Sequence, residues 1–307
     1  MNLENCPICK SKDINLYITT FDRHYGYYDK LYTSFKCYSC SVFFLNPMIS
    51  NDELIDMYDD EYYAYNKVIK HENNLYRKIK VNIRNILLGK TGTMDPVFNN
   101  QNELKVLDLG CGSGQILLNM KSRGWQVKGV EVSKKATEVG NEHGLNIFCG
   151  TLIEANFSDN EFDYIRSNHS FEHLINPVET IKELYRICKH SGKILIGVPN
   201  TNSFAFRLFN KFWYYFGVPF HPFNYNAQNL SLLLERNGFE VLKVSYRSNY
   251  RGLLGSLQIW QNDGKLKKSN QGWLINNSFL RIIFQQMARI TNFFRIGDCI
   301  EIVALKK

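Results

Sequence analysis

The second half of the chain changes repeatedly between two hydrophobic periods. Short apolar runs typical of buried strands lie at 104–109, 127–132, 145–149, 162–165 and 192–198. Between them, apolar positions at helical spacing predict amphipathic helices, most clearly over 177–189 and 230–237. Two more strands are predicted over 240–246 and 299–305. Alternating strands and helices predict an α/β domain with a mostly parallel sheet, which we place at residues 101–307.

A helical pattern precedes this domain. Residues 51–54 have the features of a helix start, and apolar side chains recur at helical spacing from Leu75 to Leu87, opposite a basic face. Residues 89–103 are rich in Gly, Pro and Asn, as loops are. The sequence therefore predicts a helical lid or linker over residues 47–100.

The first strand of the α/β domain runs into a glycine-rich turn, VLDLGCGSGQIL, which begins at Val106. Glycines at 110, 112 and 114 let the backbone turn tightly and approach a ligand closely. A dinucleotide-binding turn has the spacing GxGxxG, but Gln115 stands where its third glycine would be. Asp108, two residues before the first glycine, would suit a ligand with a cationic end. The turn therefore favours a cationic nucleoside ligand over NAD.

The motif D-L-G-C-G-S-G resembles the first motif of the class I S-adenosylmethionine-dependent methyltransferases. Glu131 ends the second strand, 21 residues past Gly110, where a carboxylate can accept hydrogen bonds from ribose hydroxyls. The resemblance implies that the loop at Gly150-Thr151-Leu152 holds adenine, although Thr151 replaces the Asp that many relatives carry. The residues expected to bind the donor are Asp108, Gly110, Cys111, Gly112, Glu131, Val132, Leu152 and Asn168.

Four cysteines mark a separate unit over residues 1–46. Cys6 and Cys9 form one CxxC pair and Cys37 and Cys40 form another, with 27 residues between the pairs. Each pair directs two sulfurs toward one point, so the two pairs predict a closed, structural Zn²⁺ site in a zinc ribbon. Free thiols are the alternative.

Composition narrows the class of protein. The chain of 307 residues has a net charge of +8, which fits either an anionic partner, such as nucleic acid, a nucleotide-linked substrate or an anionic membrane, or simply a soluble basic protein. No secretory signal or membrane span is predicted, and eight cysteines without a signal favour the reducing cytoplasm.

Longer segments extend the resemblance. The segment FEHLINPVETIKELYRICKHSGKILIGVPN resembles a broad methyltransferase group that includes ubiquinone-biosynthesis and bacterial sugar methyltransferases. The segment KCYSCSVFFLNPMISNDELIDMYDDEYY is similar to the N-terminal half of zinc-ribbon methyltransferases from polysaccharide and deoxysugar gene clusters, and the stretch from PNTNSF to ERNGF extends this resemblance. The resemblance covers most of residues 6–246. It implies a Rossmann-like seven-stranded sheet, S-adenosylmethionine as donor, and a sugar, nucleotide sugar or glycan intermediate as acceptor, without nucleic acid. It leaves the oligomeric state and the methylated atom open.

A hydroxyl acceptor needs a base, and histidine titrates in the right range. His221, in a loop after the fifth strand, is the first candidate, and His169, directly after the fourth strand, is the second. His173 is the third and would share a face with His169 if the segment between them were helical. A metal held by His169, Glu172 and His173 is a further alternative.

Two stretches carry unassigned apolar residues. The aromatic segment 204–223 predicts either a hydrophobic cap over the site or stacking platforms for sugars or bases. Residues 278–296 combine apolar positions with arginines, which predicts a core or dimer helix or, alternatively, peripheral membrane contact.

Three other functions remain open from the sequence. An RNA methyltransferase fits the zinc unit and the basic charge, but Ser167-Asn168-His169-Ser170 lacks the NPPY-like motif of enzymes that act on base nitrogens. A non-enzymatic scaffold would not need the intact donor residues, and an NAD-dependent enzyme would need the third glycine.

Overall fold

The structure is a computed structural model that describes residues 3–23, 30–50, 53, 54, 57, 103–263 and 272–307. Most of the lid predicted over 47–100 lies outside these residues, so that assignment stays a prediction. None of the described helices is long and apolar enough to cross a membrane.

Three short strands form the N-terminal unit: β1 (Ile14–Thr20), β2 (Tyr32–Cys37) and β3 (Phe43–Leu45). They pair antiparallel in that order. A fourth strand, β9 (Phe223–Asn224), comes from the far half of the chain and pairs with β3. The rings of Phe44 and Phe223 stack across this junction, with centroids 6.5 Å apart. The N-terminal unit thus shares both a sheet and a core with the α/β part.

Seven strands form the main sheet: β4 (Lys105–Leu109), β5 (Gln126–Glu131), β6 (Ile147–Cys149), β7 (Phe162–Asn168), β8 (Cys188–Pro199), β10 (Phe239–Arg247) and β11 (Cys299–Lys306). Their order is β6-β5-β4-β7-β8-β11-β10. The first five are parallel, and β11 runs antiparallel to both of its neighbours. The predicted Rossmann-like, mostly parallel seven-stranded sheet is confirmed.

The described helices are α1 (Gln115–Lys121), α2 (Lys134–Glu142), α3 (Pro177–Ile187), α4 (Phe204–Phe209), α5 (Ala227–Arg236), α6 (Ser256–Asn262), α7 (Trp273–Asn276) and α8 (Ser278–Phe293). Proline begins α3, and its apolar face of Ile181, Leu184 and Ile187 is buried. The helix ends at Ile187 and not at the predicted 189, because Cys188 turns to extended backbone and pairs with Phe162.

The aromatic segment 204–223 fills a second core. Phe206, Trp213, Phe216 and Phe220 are buried and pack with Phe43 and other residues of the N-terminal sheet. Of the two interpretations offered by the sequence, these four rings fit the hydrophobic cap, since a buried ring offers no face to a sugar or base.

Candidate active site

The glycine turn joins β4 to α1 at the carboxyl edge of the sheet, as ligand-binding turns of α/β proteins do. Gly110, Gly112 and Gly114 all have left-handed backbone, with φ of 72°, 55° and 80°. A Cβ on Gly110 would lie 2.3 Å from the Cβ of Ser170, far inside van der Waals contact. The turn therefore requires glycine both for its backbone and for its close approach to the segment after β7.

Glu131 stands at the end of β5, beside the turn. One carboxylate oxygen accepts the N–H of Gly112 at 2.8 Å and the other accepts the N–H of Ser133 at 3.0 Å. Burial raises the pKa of Glu131, although these N–H donors act against it. Each oxygen retains lone-pair capacity beyond its present partner, so the carboxylate holds the turn and can still accept from a hydroxyl.

Asp108 lies in β4 and is 2% exposed. Arg166, its direct neighbour in β7, donates from Nη1 to both carboxylate oxygens, at 3.2 and 3.1 Å. The cation expected opposite Asp108 is thus a residue of the chain, and contact between Asp108 and a donor stays a prediction. Sequence reasoning missed Arg166, although a charge inside the apolar run FDYIRSN requires a buried partner.

The predicted adenine end of the site lies beyond β6. Val132 is 39% exposed, whereas Leu152 is buried, so a contact between Leu152 and a ligand stays a prediction. The Thr151 hydroxyl and backbone N–H both donate to Glu154, each at 2.7 Å. Glu154, which the sequence analysis did not single out, brings to this loop the carboxylate that Thr151 lacks.

Two other predicted donor residues adjoin the turn. The thiol of Cys111 is half-buried and donates to the carbonyl of Gly112 at 3.4 Å. Asn168 ends β7 and packs against Gly197, where a Cβ would lie 2.3 Å from the Asn168 Oδ1. Both lie at the carboxyl edge of the sheet, and their contact with a donor stays a prediction.

The segment after β7 folds over the glycine turn. The Ser170 hydroxyl donates to the carbonyl of Leu109 at 2.6 Å and lies 2.6 Å from the Ser167 hydroxyl. His169, with φ of 55°, turns outward next to this contact and has a side chain that is 41% exposed. Its ring stacks on Tyr215, with centroids 6.2 Å apart. His169 therefore lies beside the turn and remains open to a ligand.

Glu172 links the three candidate histidines. His169 Nδ1 lies 3.3 Å from the Glu172 Oε1. Residues 171–173 form a single 3-10 turn, so the proposed helical face shared by His169 and His173 does not form. His173 instead packs against His221, with ring centroids 4.7 Å apart. The long loop after β8 thus brings His221 to Glu172, a contact that the sequence spacing does not reveal.

The electrostatics of this group are coupled. Burial acts to raise the pKa of Glu172, but the hydrogen bond and charge of His169 outweigh it, and the pKa falls to about 2. Burial acts to lower the pKa of His169, but Cys299 and Glu172 outweigh it and hold the pKa well above the usual value. Burial lowers the pKa of His173, which favours its neutral form. His169 and Glu172 therefore form an ion pair near neutral pH.

The four N-terminal cysteines converge as predicted. Their sulfurs all lie within 4.8 Å of one another. Cys6 and Cys40 are 3.7 Å apart and Cys9 and Cys37 are 3.5 Å apart, too far for disulfide bonds. Lys10 and Ser41, which follow the two CxxC pairs, both have left-handed backbone, so the two turns have matching geometry.

A sequence profile described as a methyltransferase domain matches residues 83–244. The ubiquinone biosynthesis O-methyltransferase of Azoarcus sp. is 32% identical over 109 residues, which cover 33% of this chain and 47% of that protein. An uncharacterized protein of Methanocaldococcus jannaschii is 28% identical over 106 residues, which cover 34% and 49%. The chain spans about half the length of these two curated relatives.

Among solved structures, a S-adenosylmethionine-dependent methyltransferase from Archaeoglobus fulgidus aligns with 80% of this chain and 100% of its own, at 22% identity and a TM-score of 0.49. A phosphoethanolamine N-methyltransferase from Haemonchus contortus, in complex with S-adenosylmethionine, aligns with 86% of this chain and 61% of its own, at 18% identity and a TM-score of 0.49.

Proposed function

This chain belongs to a family of methyltransferase domains, and from that premise we propose that it transfers the methyl group of S-adenosylmethionine to an acceptor. The observation that carries the proposal is the glycine turn at the carboxyl end of β4, held by Glu131 of β5, in a sheet with the strand order given above. When bound, S-adenosylmethionine would supply a reactive methyl group on its sulfonium: the acceptor nucleophile would bond to the methyl carbon in line as the carbon–sulfur bond breaks, and S-adenosylhomocysteine would leave.

The residues of the turn fit this donor. The left-handed glycines leave no Cβ between the backbone and a ligand, and Glu131, which adjoins the turn, would accept hydrogen bonds from ribose hydroxyls. Val132 offers exposed apolar surface to adenine, and Glu154 offers a carboxylate at the same end. The glycine turn and the segment at His169 adjoin, so donor and acceptor would meet there.

We assign the general base to His169 in preference to His221. Its ring is open to an acceptor, and Glu172 orients it through Nδ1, which leaves Nε2 to take the proton. The raised pKa means that His169 must first lose a proton to solvent. Turnover should therefore rise with pH through a pKa above 6.5, the ordinary value.

Calorimetry with S-adenosylmethionine, followed by transfer of labelled methyl to an acceptor panel, tests the proposal. The expected result is one donor site and incorporation of label. Absence of donor binding would refute it and favour a non-enzymatic scaffold.

For the acceptor we propose a sugar, nucleotide sugar or glycan intermediate, a choice supported by the resemblance of the N-terminal half to zinc-ribbon sugar methyltransferases. The panel should include nucleotide sugars, hydroxylated quinone precursors and bulk RNA. Quinone precursors are included in the panel because several relatives are named for ubiquinone biosynthesis. Label in RNA, with binding that weakens steeply as salt is added, would instead support the RNA alternative.

The N-terminal cysteines are proposed to hold a structural Zn²⁺. A tetrahedral zinc with bonds of about 2.3 Å to sulfur separates its ligands by about 3.8 Å, close to the observed 3.7 and 3.5 Å. Cys37→Ser should lose zinc and lower the melting temperature, whereas Cys188→Ser, at a buried cysteine outside the cluster, should keep its zinc. Equal zinc content in the two variants would contradict the assignment.

A further inference from the structure

Glu172, His173 and His221 bring three metal-ligating side chains to one point below His169. One ligand atom from each lies within 4.8 Å of those of the other two. We propose that these residues bind a divalent transition-metal ion, separate from the cysteine site. A metal with bonds of about 2.1 Å holds neighbouring ligands roughly 3.0–3.4 Å apart, so small side-chain movements would close the site.

The carboxylate of Glu172 has an oxygen that a metal would satisfy. Glu172 is 1% exposed, and its Oε1 faces His169. Its Oε2 is buried and has no hydrogen-bond partner among the described residues. A buried, charged oxygen without a hydrogen bond costs free energy of folding, and coordination to a cation would offset that cost.

Both histidines are oriented as metal ligands usually are. His173 Nδ1 is 2.7 Å from the carbonyl of Phe220, and His221 Nδ1 is 2.9 Å from the carbonyl of Tyr215. A carbonyl only accepts, so each Nδ1 carries the proton and each Nε2 keeps a lone pair. Metal-binding histidines commonly donate their second ring nitrogen to the backbone in this way.

The chemistry of the three ligand side chains indicates which metal ion binds and what it would do. Two imidazoles and one carboxylate suit Zn²⁺ or a similar divalent transition metal, and three protein ligands leave coordination positions open. An acceptor oxygen bound there would lose its proton more readily to His169, which shares Glu172 with the cluster. This role, unlike the binding itself, depends on the proposed methyl transfer.

Metal counting tests the site without any activity measurement. Apo protein is reloaded with excess Zn²⁺, freed of unbound metal by gel filtration, and assayed for zinc and for S-adenosylmethionine affinity. Wild type should retain one more equivalent of zinc than His221→Ala or the near-isosteric Glu172→Gln. His143→Ala removes an exposed histidine outside the cluster and should match wild type.

Circular dichroism and donor affinity show whether each of the two variants retains the fold, so misfolding can be told apart from loss of a metal ligand. Wild-type zinc content in a folded Glu172→Gln or His221→Ala protein would overturn the metal site. Loss of donor binding in wild type would instead refute the methyltransferase proposal and leave the metal result standing.

A second, independent observation concerns α8, which buries small and polar side chains and exposes its large apolar ones. Its buried residues are Gln285, Ala288 and Thr291. Its opposite face, together with Phe294 directly after the helix, exposes a stripe of large apolar side chains that are between 37% and 81% exposed: Phe279, Ile282, Ile283, Met287, Ile290, Phe293 and Phe294. The leading expectation for 278–296 is a core or dimer helix; a core helix would bury this stripe, so the core interpretation is wrong, and the dimer helix stays a prediction.

Charge indicates what covers the stripe. Residues 272–297 contain three arginines and no acidic residue. We infer that α8 lies on an anionic lipid surface, with its apolar side chains inserted among acyl chains and the exposed Arg289 and Arg295 near headgroups. A second copy of the chain would place like charges together, which makes it the less favoured occupant.

Vesicle flotation tests this inference. Wild type should float with vesicles that contain phosphatidylglycerol and remain in the bottom fraction with vesicles of phosphatidylcholine alone. The Phe279→Ser, Phe293→Ser double variant should remain in the bottom fraction with both kinds of vesicle. Leu16→Ser removes an apolar side chain that is 60% exposed from β1, and this variant should float as wild type does. A wild-type dimer in sedimentation that the double variant dissociates, or wild type that does not float, would overturn it.

Discussion

Substitution of Gly110 by alanine tests the close approach on which the proposed donor site depends. Left-handed backbone costs alanine about 1–2 kcal/mol. The new Cβ would also lie 2.3 Å from the Ser170 Cβ, so Ser170 must move by more than 1 Å to restore roughly 3.5–4.0 Å contact. That movement breaks the hydrogen bonds of Ser170 with Leu109 and Ser167, worth about 0.5–1.5 kcal/mol each. We expect a total loss of about 2–5 kcal/mol.

Gly124→Ala is the matched control. Gly124 has φ of 87°, so alanine there is strained in the same way, but its Cβ would meet no atom within 4 Å. It should cost only the backbone penalty of about 1–2 kcal/mol. The difference between the two variants isolates the effect of the close approach to Ser170.

Urea unfolding gives the two free energies, and calorimetry gives the dissociation constant for S-adenosylmethionine. Gly110→Ala should weaken donor binding at least about tenfold, which corresponds to 1.4 kcal/mol, because the turn and the segment at His169 move apart. Gly124→Ala should bind as wild type does. Equal stabilities for the two variants, together with wild-type donor affinity in Gly110→Ala, would refute the argument.

Three further outcomes are expected. Glu131→Gln should weaken donor binding by about 1–3 kcal/mol in calorimetry, since an amide cannot accept at both positions that now serve Gly112 and Ser133. Unchanged affinity would remove Glu131 from the donor site. His169→Gln should lower kcat by about 10²–10⁴ and abolish its rise with pH, at unchanged donor affinity, and a wild-type pH profile would reassign the base. Burial raises the pKa of Asp298 from 3.8 to about 6, so its protonated form stabilises the fold below pH 3.8 and this contribution is lost as the pH rises through 6. Relative to Asp298→Asn, wild type should therefore lose roughly 3 kcal/mol of unfolding free energy between these pH values, and a pH-independent difference would show that Asp298 does not titrate there.

The sequence by itself determined the α/β architecture, the glycine turn and the convergence of the cysteines. These features depend on local rules: strand and helix periods are short, left-handed turns need glycine, and a CxxC pair places its two sulfurs within one turn. Position along the chain was also enough to bring Glu131 to the turn, because the carboxyl ends of neighbouring parallel strands meet at one edge of the sheet.

Only the tertiary structure decided which distant residues meet. Arg166 reaches Asp108 because β7 happens to be the neighbour of β4 in register, and His221 reaches Glu172 through a loop with no repeating pattern. Strand β9 joins the N-terminal sheet although 177 residues separate Leu45, the end of β3, from Phe223, the start of β9, and α8 turns its apolar face outward. Amphipathic periodicity shows that a helix has an apolar face, but what covers that face depends on packing between segments far apart in sequence.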